Sequence, residues 1–596
     1  MGKNSFMVVV VVILSAFLMF CSGQLLVKKS EASDAEAERR ITLTFDVVDG
    51  RVKDPENWNP IAPGRRMDHG FHQAVIEPLF ILNYESGEIM PWLGESMTAN
   101  ETLDVWTLKL REGVKWGDGE VFNADDVIFT VNLMVEHAPK LDGSARMKNW
   151  VKRLEKVDDL TIRFTLYKPN ARFQLDVWSV KVWGGITIVP EHIWKDQDPL
   201  TFKNYEPDKG WPVFTGAYTL VSASEMKVEY VRDDNWWGAQ TGWKPLPAPE
   251  KLIWGVYASN TEGVAAVEKN ELDSLDSIKL GALLELKQKN PNIVTYVDNL
   301  PYAWVPDPCS RTFDFNMAKA PWNDKELHWA VNYAIDRDEI ISLALNGTTL
   351  PSRHFFPVYS ALNRYVDLLE EAGLYEQYPI LEHSPEKAKA LIESKGYTVN
   401  SEGVYEKNGQ ELTLEFTVVN SQEFRSIGNV VAEQIQRVGI KTTVTVYKPY
   451  SEWYEKTLLG DFSAQMGWWT CGSVNEPWAS MDTFNTRWMT PVGERTGENQ
   501  NIWRWSGDAA EKYGALVDEI GTLPLGDPKI ETLFVEAMKY WLDELPVIPV
   551  TQAMRIIPFN TTYWTNWPSM KNNYIHPPTW WQSTHVIIHN LKPAQP

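Results

Sequence analysis

Cysteine is scarce in this sequence of 596 residues, which has only Cys21, Cys309 and Cys471. A network of disulfides therefore cannot organise the fold, and the paired-cysteine spacing of a structural zinc site is absent. Cys21 falls in an N-terminal segment that has the character of an export signal. One bond between Cys309 and Cys471 is possible in an oxidising compartment.

The short motifs of common catalytic sites are also missing. The chain contains no HExxH, no GxSxG and no GxxxxGK sequence, which argues against zinc proteases, serine hydrolases and P-loop nucleotide hydrolases. A glycoside hydrolase stays open as a minor alternative, because its two carboxylates have no fixed spacing along a chain.

Basic residues are outnumbered, with 57 Lys and Arg against 79 Asp and Glu, and the formal charge is −22. Such a charge repels phosphate backbones and anionic membrane surfaces, so nucleic acid is excluded as a partner. The length exceeds what one hydrophobic core supports and predicts two or three lobes.

Long apolar runs are absent except near the start. Lys3 precedes an apolar run over residues 6–20 (FMVVVVVILSAFLMF). This is the length of a signal-peptide core and is shorter than the ~20 residues that span a bilayer. We therefore predict a signal peptide over residues 1–23 and an exported protein.

The end of this signal allows two interpretations. Leu18 and Cys21 stand as in a bacterial lipoprotein signal, which would make Cys21 the lipid acceptor. The alternative is simple cleavage after Gly23, which leaves no anchor. Residues 24–38 are mostly polar and charged and are predicted to form a flexible tether.

Tryptophan, in contrast, is abundant, with 28 residues, several of them doubled. Indoles are hard to bury fully because each N–H needs a partner, so we expect some of the rings to face a ligand. A flat aromatic face with a polar edge suits a sugar ring, whose C–H faces are apolar and whose hydroxyls lie around its rim. The composition therefore favours a carbohydrate ligand.

Helices and strands alternate along the chain. Asn123 is a helix cap with Asp125 and Asp126 in the first turn, where the helix dipole favours acids. Apolar residues after Asp324 recur at helical spacing, which predicts an amphipathic helix there.

The same alternation continues in the second half of the chain. Ser384 and Pro385 begin another helix as cap and first-turn proline. A further helix ends near Arg437, and residues 440–446 alternate as a strand. The predicted fold class is α/β.

The segment from Leu93 to Thr130 (LGESMTANETLDVWTLKLREGVKWGDGEVFNADDVIFT) closely resembles the signature of family 5 solute-binding proteins, the oligopeptide- and dipeptide-binding group of ABC importers. Similar family stretches recur at Val213–Tyr218, Asp234–Gly238, Trp329–Arg337 and Leu545–Pro549. The resemblance covers nearly the whole chain after the signal.

This resemblance implies a two-lobed clamp of the periplasmic-binding-protein type (type II), enlarged by an extra subdomain. A discontinuous domain I would comprise residues 39–302 and 545–596, with a subdomain inserted at about 76–210. Domain II would comprise residues 303–544. Two chain crossings between the lobes would form a hinge that closes on the ligand.

One departure from the family bears on the ligand. Peptide-binding relatives have an aspartate, in an Ala-Asp-Tyr-Asn-Glu-Pro-like stretch, that pairs with the peptide ammonium group. The corresponding stretch here is Gly472–Pro477, and Ser473 stands at the place of the acid. A buried ammonium without a countercharge is strongly unfavourable, which argues against a peptide. Glu476 is the alternative source of that charge, in a shifted register.

Some family members bind cello-, xylo- or other oligosaccharides, and the tryptophan excess resembles those members. The candidate ligand-binding residues combine indoles for stacking with polar groups that orient hydroxyls. They are Asn57, Trp58, Asn59, Trp183, Trp211, Trp468, Trp469, Ser473, Asn475, Glu476 and Trp478.

The sequence thus predicts a monomeric, extracytoplasmic binding protein that captures a β-linked oligosaccharide between two lobes for import. It would act in the periplasm or at the outer face of the cytoplasmic membrane of a bacterium. Its partners would be the sugar and the subunits of an ABC permease, and it would need no cofactor and no metal. An oligopeptide is the first alternative ligand.

Overall fold

The computed structural model describes residues 34–63, 67, 69–181, 184–303, 309–577 and 581–595. The predicted signal peptide with Cys21, and the candidate Trp183, lie outside the described residues. Within the described part of the chain, no helix is both long enough and apolar enough to cross a membrane.

The predicted tether over residues 24–38 is wrong at its end, because residues 34–41 form a helix. The Glu36 carboxylate accepts a hydrogen bond of 2.9 Å from the Tyr563 hydroxyl. Glu38 forms an ion pair with Lys251. These contacts attach residues 34–41 to the first lobe.

A four-stranded sheet forms the centre of the first lobe. Its outer strand Thr42–Asp46 runs parallel to Lys251–Gly255, and the remaining neighbours are antiparallel. Leu252 and Trp254 alternate as buried residues along their strand, as expected for a half-buried strand. The strand order is Thr42–Asp46, Lys251–Gly255, Lys227–Arg232 and Tyr218–Ala223.

Residues 76–210, which we call the insert, contain a second sheet that is wholly antiparallel. The helix Ala124–His137 packs beside it, and the predicted cap is confirmed, because Asn123 and Asp126 form a reciprocal capping box. The order of this sheet is Gly94–Ala99, Val105–Leu110, Thr161–Leu166 and Val151–Asp158. A smaller sheet consists of Ile89–Pro91, Phe80–Leu82 and Ser179–Val180.

The second lobe is built on a mixed sheet of five strands. The strand Val547–Thr551 pairs with Arg311–Phe315, so this sheet extends beyond the boundary that the sequence suggested at residue 545. The chain therefore returns to the first lobe only after Thr551. The order is Lys441–Tyr447, Thr413–Val419, Ala464–Gly467, Arg311–Phe315 and Val547–Thr551.

Helices cover these sheets in both lobes, so the predicted two-lobed α/β class is confirmed. The α-helices of the first lobe after Ala124–His137 are Ser144–Trp150, Glu191–Trp194, Trp237–Gln240, Asn260–Glu268, Leu280–Lys289 and Thr584–Asn590. Those of the second lobe are Lys325–Ala334, Arg337–Leu345, Asn363–Glu371, Leu374–Gln377, Pro385–Ser394, Gln422–Arg437, Tyr450–Leu459, Trp478–Asp482, Asp508–Thr522 and Lys529–Glu544.

Short elements complete the fold. A π-helix covers Gln174–Trp178, and 3-10 helices cover Val48–Gly50, Phe71–Ala74, Pro207–Lys209, Ser360–Leu362 and Thr486–Trp488. The minor strands are Thr398–Val399, Tyr405–Lys407 and Gln410–Glu411, then Ile293–Val294 with Phe559–Asn560, and Trp564–Thr565 with Lys592–Pro593.

Tryptophan fills more of the core than its composition alone predicts. Among the residues that the structure describes, twelve tryptophans are less than 2% exposed. The core therefore accounts for much of the tryptophan excess. These twelve fully buried tryptophans are Trp58, Trp178, Trp194, Trp236, Trp254, Trp322, Trp453, Trp469, Trp503, Trp505, Trp541 and Trp564.

Cys309 and Cys471 form a disulfide with an S–S distance of 2.02 Å. The bond joins the start of the second lobe to the residue before the Gly472–Pro477 stretch. It therefore fixes one end of that stretch to the strand region where the chain enters the lobe.

Candidate functional site

A groove of about 870 Å³ separates the insert from the second lobe. The insert contributes residues between Arg146 and Gly184, and the second lobe contributes residues between Trp478 and Thr522. The volume lies in the range of ligand-binding clefts, which are commonly found between domains. Two pockets around Gln73 in the first lobe hold about 20 Å³ or less, room for no more than a single water.

Three half-buried indoles line this groove, and a cation lies over each of them. The Lys168 ammonium is 4.9 Å from the Trp150 ring centre. The corresponding distances are 4.7 Å from the Arg172 guanidinium to Trp478 and 4.8 Å from Arg487 to Trp488. Each cation is attracted to the π face of its ring and restricts how the ring can rotate.

Hydrogen bonds fix two of the three rings further. The Trp478 indole N–H donates to the Val517 carbonyl at 3.0 Å. The Trp488 indole N–H donates to the Asp482 carboxylate at 3.2 Å. Trp478 is the first residue of its short helix and Trp488 the last of a 3-10 turn. Both indoles are thus anchored at an edge, as a preformed stacking surface requires.

The two walls of the groove carry unlike charges. The insert wall has Arg146, Lys168, Arg172 and Lys181 against the single acid Asp176, which pairs with Lys181 at 2.7 Å. The second-lobe wall has Asp482 and Asp518, with Arg487 ion-paired to both. Burial raises the pKa of Asp482, and the nearby Arg487 charge opposes that shift. Opposite charges on facing walls attract.

One ion pair joins the two walls. The Arg172 Nε and Nη2 atoms donate to the Glu476 carboxylate at 3.0 and 3.3 Å. The side chains of Arg172 and Glu476 are only 2% and 7% exposed. Burial opposes the charge of Arg172, but the charge and hydrogen bonds of Glu476 outweigh it and raise the pKa of Arg172. Arg172 therefore keeps its charge within the contact between the lobes.

The predicted site residues in the first lobe belong to the scaffold. Trp58 is 1% exposed, and its ring packs edge-on against Phe71 and Tyr230. Asn59 is fully buried, and its amide donates to the carbonyls of Pro199 and Phe202, both at 2.8 Å. These side chains stabilise a turn and a core.

Asn57 and Trp211 also have local roles in the structure. The Asn57 side-chain oxygen accepts from the backbone N–H of Asn59 at 3.2 Å, which is turn chemistry. The Trp211 ring packs edge-on against Phe202 at 5.5 Å, and Lys209 lies over the Trp211 ring at 4.8 Å. Neither residue is among the described residues that line the groove.

The doubled tryptophans of the second lobe stack on each other, with Trp469 fully buried and Trp468 half-buried. Trp468 and Trp469 lie nearly parallel, with ring centres 6.1 Å apart, and both pack against Trp453. Ser473 is also fully buried. Its hydroxyl accepts from the backbone N–H of Ser480 at 3.0 Å, so it supports the helix Trp478–Asp482 from within.

The remaining predictions divide between the lobe contact and the groove. Asn475 is half-buried and lies against the insert, because a Cβ atom added at Gly87 would be 3.5 Å from the Cβ atom of Asn475. Glu476 pairs with Arg172. Trp478 is the predicted residue that the structure places on the groove wall, among those it describes.

Sequence reasoning missed Trp150, Trp488 and Arg172. Trp488 follows Trp478 in the same tryptophan-rich stretch, and that proximity was a usable signal. Trp150 and Arg172 join the groove only because the insert packs against the second lobe. Among the described residues, no group of three or more His, Cys, Asp or Glu side chains is arranged to hold a metal ion.

Sequence comparison places this chain among solute-binding proteins. Residues 88–489 match the family described as "Bacterial extracellular solute-binding proteins, family 5 Middle". The Dipeptide-binding protein of Escherichia coli (strain K12) is 23% identical over 478 residues, covering 75% of this chain and 79% of the relative. Heme-binding protein A of Haemophilus influenzae is 23% identical over 553 residues, covering 89% and 91%.

Solved structures agree with this placement. The periplasmic oligopeptide-binding protein of an oligopeptide ABC transporter from Thermotoga maritima is 25% identical, covers 94% of this chain and 100% of its own, and has a TM-score of 0.79. The mannohexaose-bound structure of that protein covers 94% and 99%, with a TM-score of 0.70. This chain belongs to the family 5 bacterial extracellular solute-binding proteins, which are extracytoplasmic substrate-binding components of ABC importers and not enzymes.

Proposed function

We propose that this binding protein captures an oligosaccharide, of the cello-, xylo- or related β-linked kind, in the groove between the insert and the second lobe. The observation that carries the proposal is the set of three half-buried indoles, Trp150, Trp478 and Trp488, each with a cation over its ring, on the walls of one groove. Aromatic faces pack against the apolar C–H faces of sugar rings. Polar groups on the same walls would orient the hydroxyls, among them Asn170, whose amide oxygen also accepts from the Arg172 backbone N–H at 2.9 Å.

The state of the Gly472–Pro477 stretch argues against recognition of a peptide ammonium group there. The Ser473 hydroxyl is buried and already accepts a backbone hydrogen bond. Glu476, the alternative acid, is already neutralised by Arg172. An ammonium group at this stretch would therefore lack a free countercharge, which is costly in a buried site.

A relative supports the sugar ligand. The Thermotoga maritima protein, although described as oligopeptide-binding, has a structure with mannohexaose bound. Members described as oligopeptide-binding thus include a protein that accepts a hexasaccharide.

An oligopeptide is the second candidate, and the unlike walls of the groove favour it. A peptide has opposite charges at its two ends, and the cationic insert wall faces the acidic second-lobe wall. The Dipeptide-binding protein of Escherichia coli is among the relatives.

The protein would work as a monomer in the periplasm or at the outer face of the cytoplasmic membrane, where Cys21 would accept a lipid anchor. Ligand binding shifts an equilibrium between open and closed lobes. The closed form then delivers the ligand to the permease subunits. No cofactor takes part.

Calorimetric titration tests the ligand class. Mannohexaose, cello- and xylo-oligosaccharides should include a saturable ligand for the wild-type protein, whereas tri- to pentapeptides should give no heat of binding. Saturable peptide binding without any response across the sugars would reverse the choice. For a groove variant such as Trp478→Ala, the matched control is Trp329→Ala. Trp329 is also a half-buried indole, but it lies in a surface pocket of the second lobe, beside Tyr333 and Asp543.

A further inference from the structure

Arg172 and Glu476 come from different lobes. The neighbour of Arg172, Phe173, packs against Phe164 of the insert sheet with ring centres 5.7 Å apart. Glu476 precedes the second-lobe helix Trp478–Asp482. Their buried ion pair is therefore a contact that exists only while the insert and the second lobe are together.

The Arg172 guanidinium makes more than this ion pair. Its Nη1 atom donates to the carbonyls of Ile520 and Gly521, at 3.2 and 3.0 Å. These carbonyls belong to the last turn of the helix Asp508–Thr522, where the helix dipole favours a cation. The planar fork of an arginine suits this set of acceptors better than a lysine ammonium does.

The same pair also fixes a groove indole. Arg172 lies 4.7 Å from the Trp478 ring centre, and the Glu476 carboxylate accepts the backbone N–H of Trp478 at 3.1 Å. Gly521 leaves the space that the ring occupies, because a Cβ there would lie 2.9 Å from the Trp478 indole nitrogen. Lobe contact and ring position therefore depend on the same atoms.

We propose that Arg172 is a positioning residue for ligand binding: through Glu476 it holds the two lobes together, and through the face of Trp478 it sets that indole in the groove. Removing the charge of Glu476 leaves a buried guanidinium without a counterion as long as the lobes touch. Water solvates that guanidinium once the lobes separate, so the change favours the open form. Only the effect on sugar binding rests on the proposed function.

Small-angle X-ray scattering without ligand tests the contact directly. Glu476→Gln should give a larger radius of gyration than the wild type. Arg172→Lys keeps the charge but loses the planar fork, so its radius of gyration should lie between those of the wild type and Glu476→Gln. This variant also replaces Glu476→Gln in the test if Glu476→Gln does not fold. Glu339→Gln is the matched control, since Glu339 and Arg437 form a bidentate pair at 2.8 and 3.0 Å within the second lobe. Its scattering should equal that of the wild type.

Binding kinetics with mannohexaose provide the second readout. Glu476→Gln should raise the dissociation rate of mannohexaose at least ~tenfold and change its association rate less. The reason is that the contact between the lobes holds a ligand that has already entered the groove. Equal scattering of wild type and Glu476→Gln overturns the proposal. If mannohexaose does not bind the wild type, the sugar hypothesis loses support, and the scattering still decides the role of Arg172.

Discussion

Two core tryptophans of the second lobe differ from two groove tryptophans in the hydrogen bonding of their indole nitrogens. Trp453 and Trp469 stack inside the lobe, and neither indole N–H has a hydrogen-bond partner among the described residues. Trp478 and Trp488 in the groove each donate from the indole to a fixed acceptor. These two core indoles thus act as apolar volume, whereas the two groove indoles are held at a defined angle.

The groove indoles also differ from Trp453 and Trp469 in the groups that lie against their ring faces. Each groove indole has a Lys or Arg over its ring, whereas Trp453 and Trp469 pack against other aromatic rings. The number of tryptophans in a sequence therefore does not identify a ligand-binding surface. A half-buried indole on a cleft wall that is both hydrogen-bonded at its edge and covered by a cation, as Trp478 and Trp488 are, is the more informative feature.

The largest expected effect is on a core tryptophan. Trp469→Ala should lower the free energy of unfolding by about 3 to 5 kcal/mol, because it leaves a cavity the size of an indole in a closely packed lobe. Urea denaturation followed by circular dichroism measures the loss. A change below about 1 kcal/mol would place this ring outside the core and remove one side of the comparison.

Loss of the disulfide should have the next largest effect on the free energy of unfolding. Replacing Cys309 and Cys471 by serine should lower the free energy of unfolding by about 2 to 5 kcal/mol, since the crosslink restricts the unfolded chain. The same denaturation measurement under non-reducing conditions checks it. Equal stability of the double variant and the wild type would mean that the bond does not form in solution.

Groove tryptophans should show the opposite pattern to Trp469. Trp478→Ala and Trp150→Ala should each weaken sugar binding at least ~tenfold, about 1.4 kcal/mol, and change the melting temperature little. Calorimetry and thermal melting on the same samples separate the two effects. A large drop in melting temperature with unchanged affinity would assign these rings to the core instead.

A buried carboxyl in the second-lobe sheet gives a pH-dependent effect on stability. Burial raises the pKa of Asp314 to about 7, and its oxygens accept from Thr312 and Gln465. The folded protein then keeps a proton that the unfolded chain loses above pH ~4. The free energy of unfolding should therefore fall as pH rises toward 7, by at most about 1.4 kcal/mol per pH unit.

Asp314→Asn cannot ionise and should remove this part of the pH dependence. Urea denaturation at pH 5, 6 and 8 compares the two proteins. Identical pH profiles would show that Asp314 is ionised in the folded protein, as a carboxylate open to water would be.

Local structure was predictable from the sequence, because its causes lie within a few residues. The cap at Asn123 and the proline start at Pro385 gave the helices Ala124–His137 and Pro385–Ser394. The predicted strand after Arg437 is observed as Lys441–Tyr447. Caps, turns and alternation are short-range effects, and they determined these elements.

The groove was less predictable, because it forms where two distant segments meet. Trp478 was identified from the family stretch, but Trp150 belongs to a helix in the insert, and nothing near it in sequence indicates a ligand. Ser473 was aligned with a ligand-contacting acid, yet the helix that follows it covers its hydroxyl. Burial of this kind depends on packing between elements, which residue spacing does not show.

The most direct test of the central claim is ¹⁹F NMR of the protein labelled with 5-fluorotryptophan, with signals assigned by single Trp→Phe variants. A saturating oligosaccharide ligand should shift the signals of Trp150, Trp478 and Trp488 and leave that of Trp469 in place. Saturable sugar binding that leaves the three groove signals unchanged would contradict the account.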